Sequence, residues 1–401
     1  MRAGRYVKQL EGYRAFIPAP LPPDPPVTMD AELLRLLSNA DRALGRLDGA
    51  TSILPNPNLF VAMYVRQEAV LSSQIEGTQS TLEDVLQFEI DAGREDRPKD
   101  IEEVVNYVRA MRYGLDRLPV FPLCLRLIRE IHAELLEGVR GSHRTPGEFR
   151  TSQNWIGPPG CTLAAASFVP PPVHEMHQAL NNFEMFLHEA TSVPVLIHCG
   201  LAHAQFETIH PFLDGNGRVG RLLITFLLCQ QGILHQPLLY LSHYLKAHRA
   251  EYYDRLTAIR TEGNWEGWLK FFLRGVFEVS QAATTTARAI LDLREAHRQA
   301  ITQKAGSSAN GLILLDYLFE QPMTMVRLVQ RQLHCAYATA GKLVDQLVDL
   351  GLLRETTGGQ RNRVFRYEPY LALFEPPSLL EAAEAPDSVA VETTGAHELP
   401  A

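Results

Sequence analysis

The stretch "IHPFLDGNGRVGR", residues 209–221, combines three glycines with one His, one Asp, one Asn and two Arg. Before it, apolar residues recur at alternating spacings of four and three, which predicts a helix with one buried face. These residues are Val195, Cys199, Ala202, Phe206 and Ile209. After it, residues 218–231 are apolar almost all round, as in a helix buried in the middle of a domain. The stretch therefore predicts a Gly-rich turn between two buried helices of a mainly α-helical fold.

Three familiar binding motifs share parts of this pattern. Residues 215–220 read GxGxxG, but a dinucleotide-binding loop must follow a β-strand, and here a helical pattern precedes it. A calcium loop is excluded because Arg218 stands where an oxygen ligand is needed and no Glu closes the loop. His203, Glu207 and His210 share a helical face that could ligate zinc. Without an HExxH pattern, hydrogen-bonded histidines near a core are the favoured interpretation.

An anion site remains as the best account of the turn. Backbone N–H groups of a Gly-rich turn at a helix N-terminus point towards negative charge. Arg218 and Arg221, three positions apart, are expected to reach the same ligand, and two guanidinium groups favour more than one phosphate. Asp214 beside such a site favours Mg²⁺ held by one carboxylate and phosphate oxygens. His210 is the nearby group that can take up a proton near neutral pH.

The residues "HPFLDGNGRVGR" resemble the signature of the Fic (Fido) domain, HPFx(D/E)GNGRxxR, at every defined position. The segments "GEFRTSQNWIG" (147–157), "FVPPP" (168–172) and "LYLSHYLKAHRAEYYDRL" (239–256) are also similar to segments of bacterial Fic proteins. The resemblance implies a helical Fic core with a small β-hairpin flap. It also implies transfer of AMP from ATP to a Ser, Thr or Tyr hydroxyl of a protein target or of the protein itself, with release of pyrophosphate.

The resemblance also implies a role for each residue of the motif. His210 would be the general base, and Asp214 would hold Mg²⁺ between the α- and β-phosphates. Arg218 would bind the β-phosphate and Arg221 the γ-phosphate. The other implied contacts are the phosphate-binding residues Gly215, Asn216, Gly217 and Gly220, the base-pocket residue Tyr253, and the target-docking flap residues Ser167, Phe168 and Val169. Family members that transfer phosphate carry Lys at the position of Gly217, so the intact glycine favours AMP transfer.

Far upstream, "SSQIEG" (72–77) resembles the inhibitory motif (S/T)xxxE(G/N) of this family through Ser72, Glu76 and Gly77. Residues 58–76 have helical spacing and Gly77 stands where a helix cap is expected, so Ser72 and Glu76 face the same way. By this resemblance Glu76 would pair with Arg221 and compete with the γ-phosphate. A plain surface helix end is the alternative interpretation. Ser80 and Glu83 match a capping box that opens the next helix.

Residues 311–368 contain three helical patterns followed by "LLRETTGGQRNRVFRY" (352–367), two short extended runs around a Gly turn. This order predicts a C-terminal winged helix-turn-helix. Between Gln321 and Tyr367 there are seven Arg or Lys against three Asp or Glu, which leaves DNA binding open. Protein contacts and homodimer formation are the alternatives for this module.

Composition sets the remaining expectations. Five dispersed cysteines without a CxxC pair favour a reducing cytoplasm, and the longest apolar run, 222–229, is too short for a membrane span. The chain of 401 residues carries a net charge of −8, which argues against a general coat of nucleic acid. The predicted regions are 1–95, helical with the inhibitory helix and a proline-rich strap at 16–28; 96–302, the Fic core; 303–375, the winged helix; and 376–401, a disordered tail.

Two other functions stay open at this point. One is a DNA-binding transcriptional regulator or toxin–antitoxin-like module in which the Fic core is secondary. The other is removal of AMP from a modified protein, because Glu76 could orient a water molecule. AMP transfer, with ATP and Mg²⁺ as the implied substrate and cofactor, is the favoured interpretation.

Overall fold

The computed structural model describes residues 2–52, 58–90, 98, 100–139, 141–158, 160–189, 193–304, 309–359 and 361–374. The predicted tail at 376–401 lies outside these residues. Within them, no helix has both the length and the apolar character that crossing a membrane requires.

An antiparallel hairpin forms the N-terminus. Strand β1 spans Gly4–Lys8 and strand β2 spans Arg14–Pro18, in a register that places Gly4 opposite Pro18 and Tyr6 opposite Phe16. The prediction that this region is helical with an extended strap from residue 16 was therefore wrong for its first part. The strap begins only after Pro18, and the hairpin buries Phe16 under the flap ring of Phe168 (ring centroids 6.4 Å apart).

Helices make up the middle of the chain. They are α1 (Ala31–Ser52), α2 (Asn58–Ile75), α3 (Leu82–Ile90), α4 (Ile101–Arg117), α5 (Leu125–Leu136), α6 (Val173–His188), α7 (Val195–Ile209), α8 (Asn216–Gln230), α9 (Ser242–Ala247), α10 (Arg249–Glu262) and α11 (Trp265–Lys304). A 3₁₀ turn occupies Leu163–Ala165.

Helices α7 and α8 are the centre of the core and pack against each other. Helix α7 is buried from Leu196 to Ile209, as the apolar pattern predicts, and α8 is buried from Val219 to Leu228. Helices α2, α4 and α5 pack on α8, while α11 packs on α7 and runs along α1. The turn between α7 and α8 is therefore held in place by the interior of the protein.

The capping box of α3 forms one residue later than the sequence predicts. The Thr81 backbone N–H donates to Asp84 Oδ2 (2.8 Å), and the Asp84 N–H donates to Thr81 Oγ1 (3.2 Å). Ser80 instead donates its hydroxyl to Asp100 Oδ1 (2.8 Å). A contact twenty residues along the chain therefore takes Ser80 away from the cap.

The predicted β-hairpin flap is reduced to one antiparallel bridge between Ile156 and Phe168. The three prolines at 170–172 carry no N–H to continue a ladder. On the other side, the Phe16 N–H donates to Val169 O (2.9 Å). The flap is thus held between Ile156 and the β1–β2 hairpin. Among the described residues of this region, β1 and β2 form the hairpin, and the flap does not.

The C-terminal part combines helices with a small sheet. Its elements are α12 (Ala309–Glu320), β3 (Met323–Met325), α13 (Val326–Gln332), α14 (Tyr337–Asp349), β4 (Arg354–Glu355), β5 (Val364–Arg366) and α15 (Glu368–Leu371), followed by a 3₁₀ turn at Ala372–Phe374. The sheet order is β3-β5-β4, with both pairs antiparallel. Arg66 of α2 donates to Glu320 O (3.2 Å) and to Gln321 Oε1 (3.3 Å), which ties this part to the core.

The contact between α4 and α8 depends on Gly114, because a Cβ there would collide with the ring of Phe226. We expect Gly114→Ala to lower the free energy of unfolding by about 1–2 kcal/mol, since overpacking outweighs the gain in helix propensity. Gly45 of α1 is the matched control, because a Cβ there meets open space. Gly45→Ala should raise the free energy of unfolding by about 0.5–1 kcal/mol. Urea unfolding of both variants measures this, and equal stability of the two would contradict the close approach.

Candidate active site

Two residues in the left-handed backbone region shape the turn after α7. His210 caps α7 with a φ of 49°, and Gly215 precedes α8 with a φ of 77°. Arg150 Nε and Asn154 Nδ2 both donate to His210 O, at 3.1 and 3.3 Å. Arg150 is fully buried, and its other hydrogen bonds go to the carbonyls of Ser152 and Pro171. Since a non-Gly residue rarely adopts such a φ, these donors hold His210 in its unusual conformation.

The loop from Phe212 to Asn216 is fixed by uncharged groups. Asn216 Oδ1 accepts from the Phe212 N–H and its Nδ2 donates to Phe212 O, both at 2.8 Å. The His132 ring stacks on the Phe212 ring, with centroids 3.7 Å apart. Its Nδ1 accepts from the Gly147 N–H, so Nε2 carries the proton and donates to Asp214 O (3.0 Å). The side chain of Asn216 therefore closes the loop and does not face a ligand.

A cavity of about 620 Å³ opens beside this turn. It lies within the range of volumes typical of small-molecule sites. Its walls include seven of the sequence-predicted site residues, namely Glu76, Ser167, Phe168, His210, Gly217, Arg221 and Tyr253. The other predicted residues do not line it, namely Ser72, Gly77, Val169, Asp214, Gly215, Asn216, Arg218 and Gly220. Helix α10 supplies the opposite wall through Arg249, Tyr252, Thr257 and Arg260.

Arg221 is the main cation of the cavity, and helix α2 supplies its partners. Its Nη2 lies 2.8 Å from Glu76 Oε1 and 2.9 Å from Ser72 O, and its Nε donates to Ser72 Oγ (2.7 Å). Burial alone would lower the pKa of Arg221 and raise that of Glu76, but their opposite charges reverse both shifts. The pKa of Arg221 is raised and that of Glu76 is lowered, so both groups are charged at neutral pH. A Cβ at Gly217 would collide with the Glu76 carboxylate.

Arg218 has different partners from Arg221. Its Nη1 lies 3.1 Å from Glu103 Oε2, and its Nη2 lies 3.5 Å from Asp214 Oδ1. Arg218 and Glu103 are both buried, while the Asp214 side chain is 38% exposed. The structure therefore does not bring Arg218 and Arg221 to the same group. Nothing in the sequence around Glu103 predicts that it pairs with Arg218.

His210 and Glu207 both line the cavity, and within the described part of the chain each has one buried polar atom without a partner. His210 Nδ1 and Glu207 Oε1 have no hydrogen-bond partner among the described residues. Burial, with the charge of Arg150, lowers the pKa of His210 to about 4, so the ring is neutral at pH 7. Burial raises the pKa of Glu207 to about 7. The sequence indicated Glu207 only as a potential zinc ligand, and among the described residues no group of three or more His, Cys, Asp or Glu side chains is placed to hold a metal.

Two glycines and a tyrosine complete the predicted set. Gly77 has a φ of 100° just beyond the end of α2, as a capping residue does. Gly220 lies inside α8, where its carbonyl accepts from His203 Nδ1 (2.8 Å) and a Cβ would collide with Glu207. Tyr253 is 41% exposed, and the Arg249 guanidinium lies 5.6 Å from its ring centroid.

The sequence matches two family models. Residues 34–116 match the Fic/DOC family N-terminal model, and residues 122–228 match the Fic/DOC family model. The chain is 33% identical over 154 residues to the protein adenylyltransferase Fic of Aedes aegypti, covering 37% of this chain and 27% of that protein. It is 26% identical over 197 residues to a probable protein adenylyltransferase of Aquifex aeolicus (strain VF5), covering 47% of this chain and 56% of that protein. The matches thus span between about a quarter and just over half of these relatives.

The fold is similar to that of a solved structure. The crystal structure of a Fic family protein from Desulfovibrio desulfuricans G20 aligns with a TM-score of 0.53 and 18% identity, covering 85% of this chain and 97% of that chain. The chain thus has a mainly helical fold similar to that of this Fic family protein, with a small N-terminal hairpin. Over residues 34–116 and 122–228 it is similar to the Fic/DOC family, and its distant relatives include protein adenylyltransferases.

Proposed function

We propose that this protein transfers AMP from ATP to a Ser, Thr or Tyr hydroxyl of a protein target or of itself, and that Glu76 holds this activity low. The observation that carries the proposal is the shared cavity. His210, a neutral base, and Arg221, a buried cation, both line it, and the carboxylate of Glu76 occupies the guanidinium of Arg221. The relationship to adenylyltransferases supports the choice of AMP as the transferred group.

The phosphates would lie at the start of α8. The N-terminus of a helix attracts anions, and the space that a side chain at Gly217 would fill is taken by the Glu76 carboxylate, which a phosphate would replace. Arg221 then binds the γ-phosphate in place of Glu76. Arg218 reaches the β-phosphate only if its contact with Asp214 gives way, while Glu103 keeps its charge balanced. Asn216 acts on the phosphates through its backbone, since its side chain holds Phe212.

His210 takes the proton of the attacking hydroxyl. As the hydroxyl oxygen bonds to the α-phosphorus, the bond from that phosphorus to the oxygen shared with the β-phosphate breaks, and pyrophosphate leaves. The hydroxyl proton goes to the imidazole of His210, which is neutral and therefore has one ring nitrogen with a lone pair. Arg150 and Asn154 fix the backbone of His210, and this keeps the base aligned with the phosphorus.

Asp214 is the residue that would hold Mg²⁺. Its carboxylate is partly exposed and adjoins the proposed phosphate site, which fits an ion that uses few protein ligands and keeps phosphate and water oxygens. When bound, Mg²⁺ would neutralise charge on the α- and β-phosphates.

Inhibition by Glu76 follows from charge and space. Glu76 fills the part of the Arg221 guanidinium that the γ-phosphate needs, and its negative charge repels a nucleotide that carries several of its own. ATP that binds without the γ-phosphate contact has a misplaced α-phosphate, and small misplacements cost much rate.

We also propose that residues 303–375 form a winged helix beside the core at 96–302. The order helix, strand, helix, helix, strand, strand from α12 to β5 supports this assignment. DNA binding gains little support, because carboxylates offset much of the local positive charge. Arg354 and Arg366 pair with Glu368, and Arg366 also pairs with Glu83. Protein contacts are therefore the better function for this module.

Removing the carboxylate of Glu76 should activate the enzyme. We expect Glu76→Gly to raise AMP incorporation from labelled ATP by about 10-fold or more, because Arg221 becomes free for the γ-phosphate. Glu76→Gln, which keeps the size but not the charge, should fall between wild type and Glu76→Gly. Gln67→Ala, a half-buried residue of α2 that does not line the cavity, is the control for changes on this helix and should behave like wild type. Equal labelling by all four proteins would refute inhibition by Glu76.

Removing the imidazole should stop the reaction in the activated protein. In the Glu76→Gly background, His210→Ala should lower the rate of AMP transfer by about 10²–10⁴-fold, the usual contribution of a general base. Mass spectrometry of the modified residues measures the product, and ATP binding by calorimetry checks that the pocket persists. Retained labelling in this variant would remove His210 from the base role.

The pH profile should reflect the low pKa of His210. Because that pKa is about 4, and Glu76 raises it, the ring stays neutral in Glu76→Gly at every pH well above 4. We expect kcat/KM for Mg·ATP, which reports the nucleotide-free protein, to show no loss of base between pH 8 and 5.5. A fall centred near pH 6.5, the value of an unperturbed histidine, would contradict a base that is buried and neutral.

A further inference from the structure

Glu207 is a buried carboxyl group. It takes no part in the Glu76–Arg221 ion pair and has no role in the proposed transfer step. It lies on α7 three residues before His210, is 8% exposed and lines the same cavity. Its Oε1 has no hydrogen-bond partner among the described residues. A buried acceptor without a partner destabilises the folded protein, so its retention inside a cavity indicates a partner that arrives with the ligand.

The neighbours of Glu207 show which part of a nucleotide it would meet. A Cβ at Gly220 of α8 would collide with Oε1, so the carboxyl group packs on α8. Its charge interacts both with the proposed phosphate-binding Arg221 and with Tyr253 of the α10 wall. The sugar of a nucleotide lies between its phosphates and its base, and Glu207 is near a residue suited to each of those two groups.

Arg260 does not satisfy this carboxyl group. It is 7% exposed and its guanidinium carbon lies 3.9 Å from the Phe168 ring centroid. Its side chain donates to Thr257 Oγ1 (3.2 Å), and no ion pair joins it to Glu207 among the described residues. Arg260 thus packs on the flap, and it leaves Oε1 of Glu207 without a hydrogen bond although the two charges interact.

We propose that Glu207 binds a ribose hydroxyl of the nucleotide and thereby selects ribonucleotides over deoxyribonucleotides. This rests on the proposed function, since it assumes a nucleotide in the cavity. Carboxylates are common partners of ribose hydroxyls in nucleotide sites. The missing side chain at Gly220 is part of the same arrangement, because it leaves room for the carboxyl group.

The protonation of Glu207 suits a position beside phosphates. Burial raises its pKa to about 7, so near neutral pH a large fraction of the group is uncharged and does not repel the nucleotide. In either protonation state a carboxyl oxygen can accept a hydrogen bond from a hydroxyl. An unprotonated phosphate oxygen cannot donate a hydrogen bond. The phosphates therefore cannot be the donor that Oε1 lacks.

The test measures binding, so it does not depend on turnover. In the Glu76→Gly/His210→Ala background, calorimetry with Mg²⁺ gives the Kd of ATP, 2′-deoxy-ATP, 3′-deoxy-ATP and inorganic tripolyphosphate. The same ligands are measured after adding Glu207→Met, which fills the space without hydrogen bonding, or Glu207→Gln, which keeps the shape and the acceptor. Glu262→Ala, an exposed carboxylate at the end of α10, is the matched control.

We expect the Glu76→Gly/His210→Ala protein, the parent of the Glu207 variants, to bind ATP about 10-fold or more tightly than one of the two deoxynucleotides. Glu207→Met should remove that preference by weakening ATP alone, Glu207→Gln should retain part of it, and Glu262→Ala should change nothing. The melting temperature of Glu207→Met without nucleotide should stay equal or rise, because an unpartnered polar group is gone. Tripolyphosphate should bind equally to all variants.

Four results would overturn the proposal: no nucleotide binding, no ribose preference in the parent, an equal loss of ATP and both deoxynucleotides in Glu207→Met, or a parallel loss of tripolyphosphate. The proposed AMP transfer is judged separately. If Glu76→Gly modifies no protein while the ribose preference depends on Glu207, the transfer reaction is refuted and the ribose contact stands.

Discussion

The buried guanidinium of Arg221 is the constraint on which the site depends. It is 3% exposed, and a cation at that depth needs a negative partner because burial penalises its charge. Ser72 supplies two neutral acceptors, and the charge itself is balanced by Glu76. A phosphate can replace that carboxylate because both accept hydrogen bonds from the same guanidinium. The free protein and the nucleotide complex would therefore differ in which anion balances Arg221, and the rest of the pocket can stay as it is.

The base is held by a separate set of contacts. The position of His210 depends on Arg150 and Asn154, and the loop behind it depends on His132 and Asn216. None of these hydrogen bonds involves Glu76 or Arg221. If the proposed function holds, the imidazole would stay aligned whichever anion Arg221 binds, and inhibition by Glu76 would act on the position of the phosphates and leave the proposed base in place.

The sequence predicted those parts of the fold that depend on local pattern. Helix α7 spans Val195–Ile209, as predicted, because its apolar residues recur at helical spacing. The N-terminal hairpin was missed because its strands have five residues each and lead into prolines that suggested a strap. The cap of α3 was misplaced because Asp100 binds Ser80. The roles of Glu103 and Glu207 could not be read from the sequence, since each follows from neighbours brought together only by folding.

The way in which Glu76 can leave Arg221 is limited by the rest of α2. Glu68, one turn before Ser72, is fully buried and accepts hydrogen bonds from the Ser242 backbone N–H and hydroxyl and from Tyr107. Moving the helix as a body would break these bonds and leave a buried carboxyl group unsatisfied, at a cost of about 1–3 kcal/mol for that group alone. Glu76 lies just past the last helical residue, with its side chain 32% exposed, and loses only the contact with Arg221 when that side chain rotates towards solvent. Rotation of one side chain is therefore the less costly route, and it would keep Ser72 on Arg221 while the γ-phosphate of the proposed nucleotide took the place of the carboxylate.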